Sequence, residues 1–200
     1  PRTVTEDFCR RAAALPNLCP HFHLSMQSGC DSVLARMNRK YDSERYYESV
    51  KLLNEAYETP GITTDLIVGF PGETEEEFQQ TLAFIRRCAF SAMHIFPYSR
   101  RPGTPADGMP GQILNSVKEE RAHRAQQAAL EMEAAYLDRW VGRTVPVLFE
   151  KERDGLWRGH TTRYSEVAAP SGENLHNQLR QVYITGRAGN CLLYTSDAAD

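Results

Sequence analysis

The sequence predicts an α/β unit followed by a small all-β module. Three observations predict it. Strand-like and helix-like apolar patterns alternate from the N-terminus to about residue 115, and each candidate strand runs into a loop rich in glycine and polar groups. After Gly142 the texture changes to short β-rich pieces. The chain has 200 residues, 41% hydrophobic and 24% charged, which suits a soluble globular chain and excludes collagen, a disordered tail and a coiled-coil rod.

Thr5 is placed to cap a short helix carrying Phe8, Ala12 and Leu15 at helical spacing, and Pro16 to Pro20 stop it. His21 to Gln27 then alternates as a strand, with Phe22, Leu24 and Met26 on one face and His21, His23, Ser25 and Gln27 on the other. Ser28 to Asp31 turns into a short helix through Val33, Leu34 and Met37. A longer helix from about Asp42 carries Tyr46, Val50, Leu53 and Tyr57 as one stripe, ended by Pro60-Gly61. Ile62 to Val68 is the second strand, and Gly69-Phe70-Pro71-Gly72-Glu73 is its exit loop. Thr74 and Glu77 form a capping box for a helix bearing Phe78, Leu82 and Ile85.

Met93 to Tyr98 is the third strand, followed by the loop Ser99 to Pro105. Ser116 and Glu119 suggest a second capping box, opening a helix to about Trp140 with Val117, Ala125, Ala128, Met132 and Tyr136 inward. Four β pieces follow, Thr144 to Glu150, Leu156 to Tyr164, Glu166 to Ala169 and Gln178 to Thr185. The expected divisions are 1–140, 141–188 and 189–200. The last of these resembles a translated adaptor and is set aside from the fold.

The net charge of -3 gives no global footprint for nucleic acid, so any RNA contact must come from a local patch. No stretch approaches the roughly 18–20 apolar residues of a membrane span, and the N-terminal residues lack a signal-peptide pattern. A cytoplasmic chain without membrane contact is expected. Because it starts without Met and within a helix N-terminus, it is expected to be a piece of something longer. The cysteines, Cys9, Cys19, Cys30, Cys88 and Cys191, are irregularly spaced with no Cys-x2-Cys or Cys-x3-Cys pair. They read as reduced thiols rather than a disulfide framework.

In parallel α/β architectures the ligand lies at the C-terminal ends of the strands, where the loops converge. Asp65 and Ile67 share a face just before Gly69, which pairs a carboxylate with an apolar wall where backbone can approach a ligand closely. An adenosyl group needs that combination, although a structural turn accounts for the same Gly-x-x-Gly spacing. Cys19, His21 and His23 admit a metal reading, but no fourth ligand has a recognisable spacing. Arg100-Arg101 reads equally as a solvated loop or an anion contact. In the β module Arg153, Arg158, Arg163 and Arg180 interleave with Trp157 and Tyr164, the pattern of an RNA clamp or of an ordinary solvated surface.

Four long motifs in order carry a resemblance to a known family. They are Cys19-Pro20-His21-Phe22-His23-Leu24-Ser25-Met26-Gln27-Ser28-Gly29-Cys30-Asp31, Arg36-Met37-Asn38-Arg39-Lys40-Tyr41, Thr63 to Thr74, and Phe96-Pro97-Tyr98-Ser99-Arg100-Arg101-Pro102-Gly103-Thr104-Pro105. Across residues 1–188 the chain resembles the radical S-adenosylmethionine methylthiotransferases. The Gln27-to-Asp31 form, Met37 to Tyr41 and His94 to Ser99 look most like the branch acting on N6-threonylcarbamoyladenosine at position 37 of tRNA. The isopentenyladenosine branch is the nearest alternative.

The resemblance implies the C-terminal half of a radical SAM partial (β/α)6 barrel, followed by a TRAM domain that grips tRNA. It implies that Gln27, Ser28, Asp65, Ile67, Gly69, Glu73 and Tyr98 lie at or near S-adenosyl-L-methionine, with His23 and Ser25 lining the lumen. It also implies 4Fe-4S clusters and a reductant protein to reduce them. The Cys-x3-Cys-x2-Cys loop that holds the radical-forming cluster is absent from this chain, and the five cysteines do not match it. The 200 residues are therefore expected to be inactive alone, within a parent that methylthiolates C2 of the adenine. A non-catalytic RNA-binding module is the alternative from another class.

Overall fold

The computed structural model describes residues 1–194. They divide into two compact units, residues 1–18 with 22–132 and residues 19–21 with 133 onward.

The first unit is a three-stranded sheet, β1 (His21–His23), β2 (Gly61–Val68) and β3 (Ala92–Pro97), in that order, with β2 and β3 parallel. Helices α1 (Glu6–Ala13), α2 (Asp31–Arg36), α3 (Ser43–Ala56) and α4 (Glu75–Cys88) connect and cover it. Thr64, Leu66 and Val68 of β2 are buried, in one core with Tyr46, Val50 and Leu53 of α3 and Phe78 and Ile85 of α4. Thr63, Asp65 and Ile67 project from the other face and stay half-buried. One face of the sheet therefore makes the core, and the other is left for chemistry.

Local signals hold where backbone donors needed partners. Thr5 accepts from the Phe8 N–H at 3.1 Å, and the Thr74–Glu77 capping box is formed in both directions. On α1, however, Phe8 is exposed and Cys9 and Ala12 are the buried pair, while Leu15 lies beyond the helix end and is exposed. An eight-residue helix cannot turn a whole stripe inward when only one edge of it touches the core.

The first strand is shorter than its alternation predicts. Leu24 N–H bonds Thr63 O at 2.9 Å, and a regular parallel ladder would next bring Met26 N–H to Asp65 O. Gln27 N–H takes that position instead, at 2.9 Å, and Met26 N–H bonds Thr64 Oγ1 at 3.0 Å. The extra residue makes a bulge, and Gln27 has φ +71°. Its carbonyls are satisfied by tyrosines. Tyr46 Oη donates to Leu24 O at 2.6 Å, and Tyr41 Oη lies 3.0 Å from Ser25 O and Met26 O. Burial raises the pKa of both tyrosines, which keeps them as donors.

After a short 3-10 turn (Pro105–Gly108), α5 (Asn115–Asp138) contributes to both units. Its start differs from expectation. Lys118 N–H bonds Leu114 O at 3.1 Å, so Ser116 lies inside the first turn rather than capping it. The unit boundary falls after Met132, because Tyr136, Leu137 and Trp140 belong to the second core.

The second unit is a closed barrel of β4 (Thr144–Arg153), β5 (Leu156–Thr161), β6 (Glu166–Ala169), β7 (Gln178–Ala188) and β8 (Cys191–Tyr194). The strand order is β4-β5-β6-β8-β7, with β6 and β8 parallel. Val145, Val147, Phe149, Val167, Val182, Ile184 and Leu192 fill it. A bulge at Phe149/Lys151 bends β4 over Gly159, where a Cβ would stand 2.2 Å from Leu148 O. Only glycine fits there. Strand β8 lies in the segment that the sequence reading set aside, and Leu192 is fully buried. Apolar Leu192 closes the fold whatever the origin of its codons. Residues 195–200 of that segment lie outside the described residues.

Candidate functional site

The C-terminal ends of β1, β2 and β3 converge on the open face of the sheet. Gln27, Asp65, Ile67 and Tyr98 line one cavity there of about 520 Å³, with Phe96 and Arg101. That volume suits a small-molecule ligand. Four of the seven residues expected around a cofactor are thus brought together.

Each arrives by a different device. Asp65 and Ile67 are there because side chains two apart on β2 share a face. Gln27 is there because the bulge re-aims it, and its side-chain amide has no hydrogen-bond partner among the described residues. Tyr98 follows the last ladder pair, Val68 with Pro97, and its N–H bonds Val68 O at 2.8 Å. Its hydroxyl is buried without a hydrogen-bond partner, an unsatisfied group on the wall of a cavity.

Asp65 sits in a polar cluster. Its Oδ2 lies 3.1 Å from His23 Nε2 and 3.3 Å from Ser25 Oγ, while His23 Nδ1 lies 3.1 Å from Thr63 Oγ1. The trio has the composition of a nucleophilic triad without its geometry. Serine and aspartate meet the same imidazole nitrogen, whereas base activation needs them on opposite ones. The arrangement fixes a carboxylate as an acceptor.

Ser28, Gly69 and Glu73 lie behind the cavity wall. Ser28 is 1% exposed, its hydroxyl 3.3 Å from Thr81 Oγ1 and accepting from Cys30 N–H at 3.2 Å. Glu73 Oε1 accepts from Gly69 N–H at 2.9 Å and from Arg121 Nη1 at 2.8 Å. Burial raises the Glu73 pKa, opposed by the Gly69 N–H and the Arg121 guanidinium. Gly69 has φ +71°, and the Lys118 side chain fills the place a Cβ would take, 2.5 Å away at Cγ. Gly69 and Glu73 hold the exit loop of β2 in shape, and Ser28 ties the turn after Gln27 to α4.

Sequence reasoning missed Lys118 and Arg121, which are buried on α5 at 6% and 5% exposure. They occur three apart, in step with Ala125 and Ala128, and that spacing was the available signal. A stripe sought among apolar residues alone passes over long basic side chains.

The barrel arginines occupy four separate stretches. Arg153 ends β4 and is mostly exposed, Arg158 on β5 pairs with Glu166, Arg163 lies 4.5 Å over the Trp140 ring, and Arg180 on β7 bonds Gln178 at 2.7 Å. Cys9, Cys30, Cys88 and Cys191 are buried and Cys19 is exposed. Burial pushes Cys88 up to about 12 and raises Cys9 and Cys191, so these are thiols.

The architecture and site define a class. Residues 1–85 match the family model of the Radical SAM superfamily. In fold, the chain is similar to coproporphyrinogen III oxidase from Escherichia coli, a radical SAM enzyme (TM-score 0.53, 15% identity, covering 80% of this chain and 44% of that one). The chain therefore carries a radical SAM segment and is similar along most of its length to tRNA methylthiotransferases.

It is 37% identical over 96% of its length to the tRNA-2-methylthio-N(6)-dimethylallyladenosine synthase of Maricaulis maris, and 42% identical over 82% to that of Mycobacteroides abscessus. It is 37% identical over 82% to the threonylcarbamoyladenosine tRNA methylthiotransferase of Bacillus subtilis. It spans 42%, 32% and 38% of these relatives.

The family implies S-adenosylmethionine and an iron-sulfur cluster. The cavity fits the first, with an apolar wall at Ile67 and Phe96, an acceptor at Asp65, the Gln27 side chain on its lining and an unsatisfied hydroxyl at Tyr98. The second does not fit this chain. No group of three His, Cys, Asp or Glu side chains is placed to hold a metal among the described residues, and burial holds Cys9, Cys88 and Cys191 as thiols.

Proposed function

We propose that this chain supplies the cofactor-facing strand ends and the RNA-gripping barrel of a tRNA methylthiotransferase. The observation that carries the proposal is the convergence of Gln27, Asp65, Ile67 and Tyr98 on one cavity of a radical SAM segment. When bound, S-adenosylmethionine would supply the adenosyl group that abstracts hydrogen from the base and the methyl group carried by the sulfur. Asp65, held by His23 and Ser25, accepts from ribose hydroxyls or an amine, Ile67 and Phe96 flank the adenine, and Tyr98 Oη donates to it. Gly69 and Glu73 keep the β2 exit loop in place, and Ser28 does the same for the turn after β1.

The barrel is a five-stranded module of the kind that binds oligonucleotides, which supports a TRAM-like role with Arg153, Arg158, Arg163 and Arg180 toward tRNA. A reductant protein and a cytoplasmic setting belong to the same proposal.

The finer substrate is N6-threonylcarbamoyladenosine at position 37, supported by Met37 to Tyr41, by His94 to Ser99 and by the Bacillus subtilis relative. The names of the Maricaulis and Mycobacteroides relatives favour a second reading, dimethylallyladenosine. The test is mass spectrometry of tRNA nucleosides from cells lacking both modifications. The cells carry either these 200 residues or the chain joined to the N-terminal part of the Bacillus subtilis relative. Methylthio-threonylcarbamoyladenosine from the joined form alone supports the first reading, and the dimethylallyl product supports the second. No product from either leaves a non-catalytic RNA-binding module.

A further inference from the structure

The two adjacent arginines after β3 have different fates. Arg100 is tied down, its Nε 2.8 Å from Asp107 Oδ1 and its Nη2 2.9 Å from Asp107 O. Arg101 is not. It occupies the first position of a turn in which Thr104 N–H and Oγ1 bond its carbonyl at 3.2 and 2.8 Å, with Pro102 second and Gly103 third at φ +83°. The backbone of Arg101 is thus set, and its guanidinium lines the 520 Å³ cavity with no hydrogen-bond or ion-pair partner among the described residues.

A second cavity of about 420 Å³ shares Pro97, Tyr98 and Ser99 with the first. Its wall includes Lys118, only 6% exposed, whose Nζ has a single long hydrogen bond, 3.4 Å to Asn115 Oδ1, and lies 5.5 Å from the Tyr98 ring centroid. A buried ammonium has three protons to place, and one weak acceptor leaves it short. The Tyr98 hydroxyl, also unsatisfied, belongs to the strand end shared by both cavities. Two under-partnered cations therefore flank one aromatic residue at the mouth of the site.

We infer that Arg101 and Lys118 form a phosphate-reading rim, which takes the RNA phosphodiester groups beside a base inserted toward Tyr98. Guanidinium and ammonium donors match phosphate oxygens, and the aromatic ring between them suits a nucleobase. The inference deepens the tRNA reading above and rests on it for its natural ligand.

The test titrates the 200-residue chain with 5′-AMP, adenosine and S-adenosylhomocysteine at low salt, by NMR chemical shift. A single charge-assisted contact predicts that 5′-AMP binds about tenfold more tightly than adenosine, with the preference falling as salt rises. Arg101→Gln reduces that preference and, with Lys118→Met, abolishes it. Arg101 is exposed, so its variant folds even if Lys118→Met disturbs the packing over Gly69.

Equal affinity for 5′-AMP and adenosine, including no detectable binding of either, overturns the inference, as does a preference that survives both substitutions. A preference for S-adenosylhomocysteine alone, lost in Arg101→Gln, assigns the rim to an amino-acid carboxylate and overturns the phosphate reading. If the 5′-AMP preference holds while the joined gene makes no methylthio nucleoside, the rim stands and the enzymatic proposal falls.

Discussion

The sheet unit and the barrel unit spend their polar groups differently. In the barrel every strand has two neighbours, and Arg158 and Arg180 each have a side-chain acceptor. In the sheet one face is core and the other carries Gln27, Tyr98 and Arg101 with donors left over. A closed barrel has no open face to leave unpaired. The difference teaches that ligand chemistry is to be sought where a fold cannot satisfy its own polar groups, rather than where charge is most abundant.

The two units can be broken separately, because both tryptophans, Trp140 and Trp157, lie in the barrel core and most of the helix lies in the sheet unit. The largest effect belongs to Arg121→Ala. It leaves Glu73 buried without its cation, and about 3–5 kcal/mol of stability should be lost from the helical circular-dichroism transition, with tryptophan fluorescence hardly moved. Gly159→Ala should do the converse. Its Cβ meets backbone rather than a movable side chain, so about 3 kcal/mol should be lost from the fluorescence transition. If either variant shifted both transitions equally, the units would be one cooperative body.

Asp65→Ala sharpens the functional side of the comparison. In the chain joined to the N-terminal part of the Bacillus subtilis relative, it should weaken S-adenosylmethionine binding about tenfold, roughly 1.4 kcal/mol, and leave tRNA affinity nearly unchanged, as read by equilibrium dialysis and filter binding. Unchanged cofactor affinity would place the pocket elsewhere.

The smallest effect is on acid stability. Hydrogen bonds from Arg36 and Ser32 hold the Glu77 carboxyl down to about 2, with the Thr74 N–H adding to them. Because the folded pKa lies below the usual 4.5, this contribution is complete above about pH 4.5 and is lost as pH falls toward 2. Glu77→Gln should cost about 1 kcal/mol at neutral pH and flatten that acid limb in a series of denaturant melts.

Much of the sheet unit was legible because its signals are local. The Thr74–Glu77 box, the Tyr46-Val50-Leu53 stripe and the shared face of Asp65 and Ile67 depend only on neighbours within a few residues. The site was legible in the same measure. Asp65, Ile67 and Tyr98 follow from strand parity and strand ends, whereas Ser28 and Glu73 share the motifs and yet turn away, held by Thr81 and Arg121 more than 45 residues on.

The sequence by itself determined the alternation of strands and helices, the change of texture near residue 142 and the motifs that resemble those of the methylthiotransferases. Periodicity, caps and turn residues act over one or two turns of chain, so they can be read without the fold. Tertiary structure alone decided the bulge that aims Gln27, the burial of Lys118 and Arg121, the use of Leu192 to close the barrel, and the split between Arg100 and Arg101. Each of these depends on which distant group satisfies a donor or fills a gap, and that partner exists only once the chain has folded.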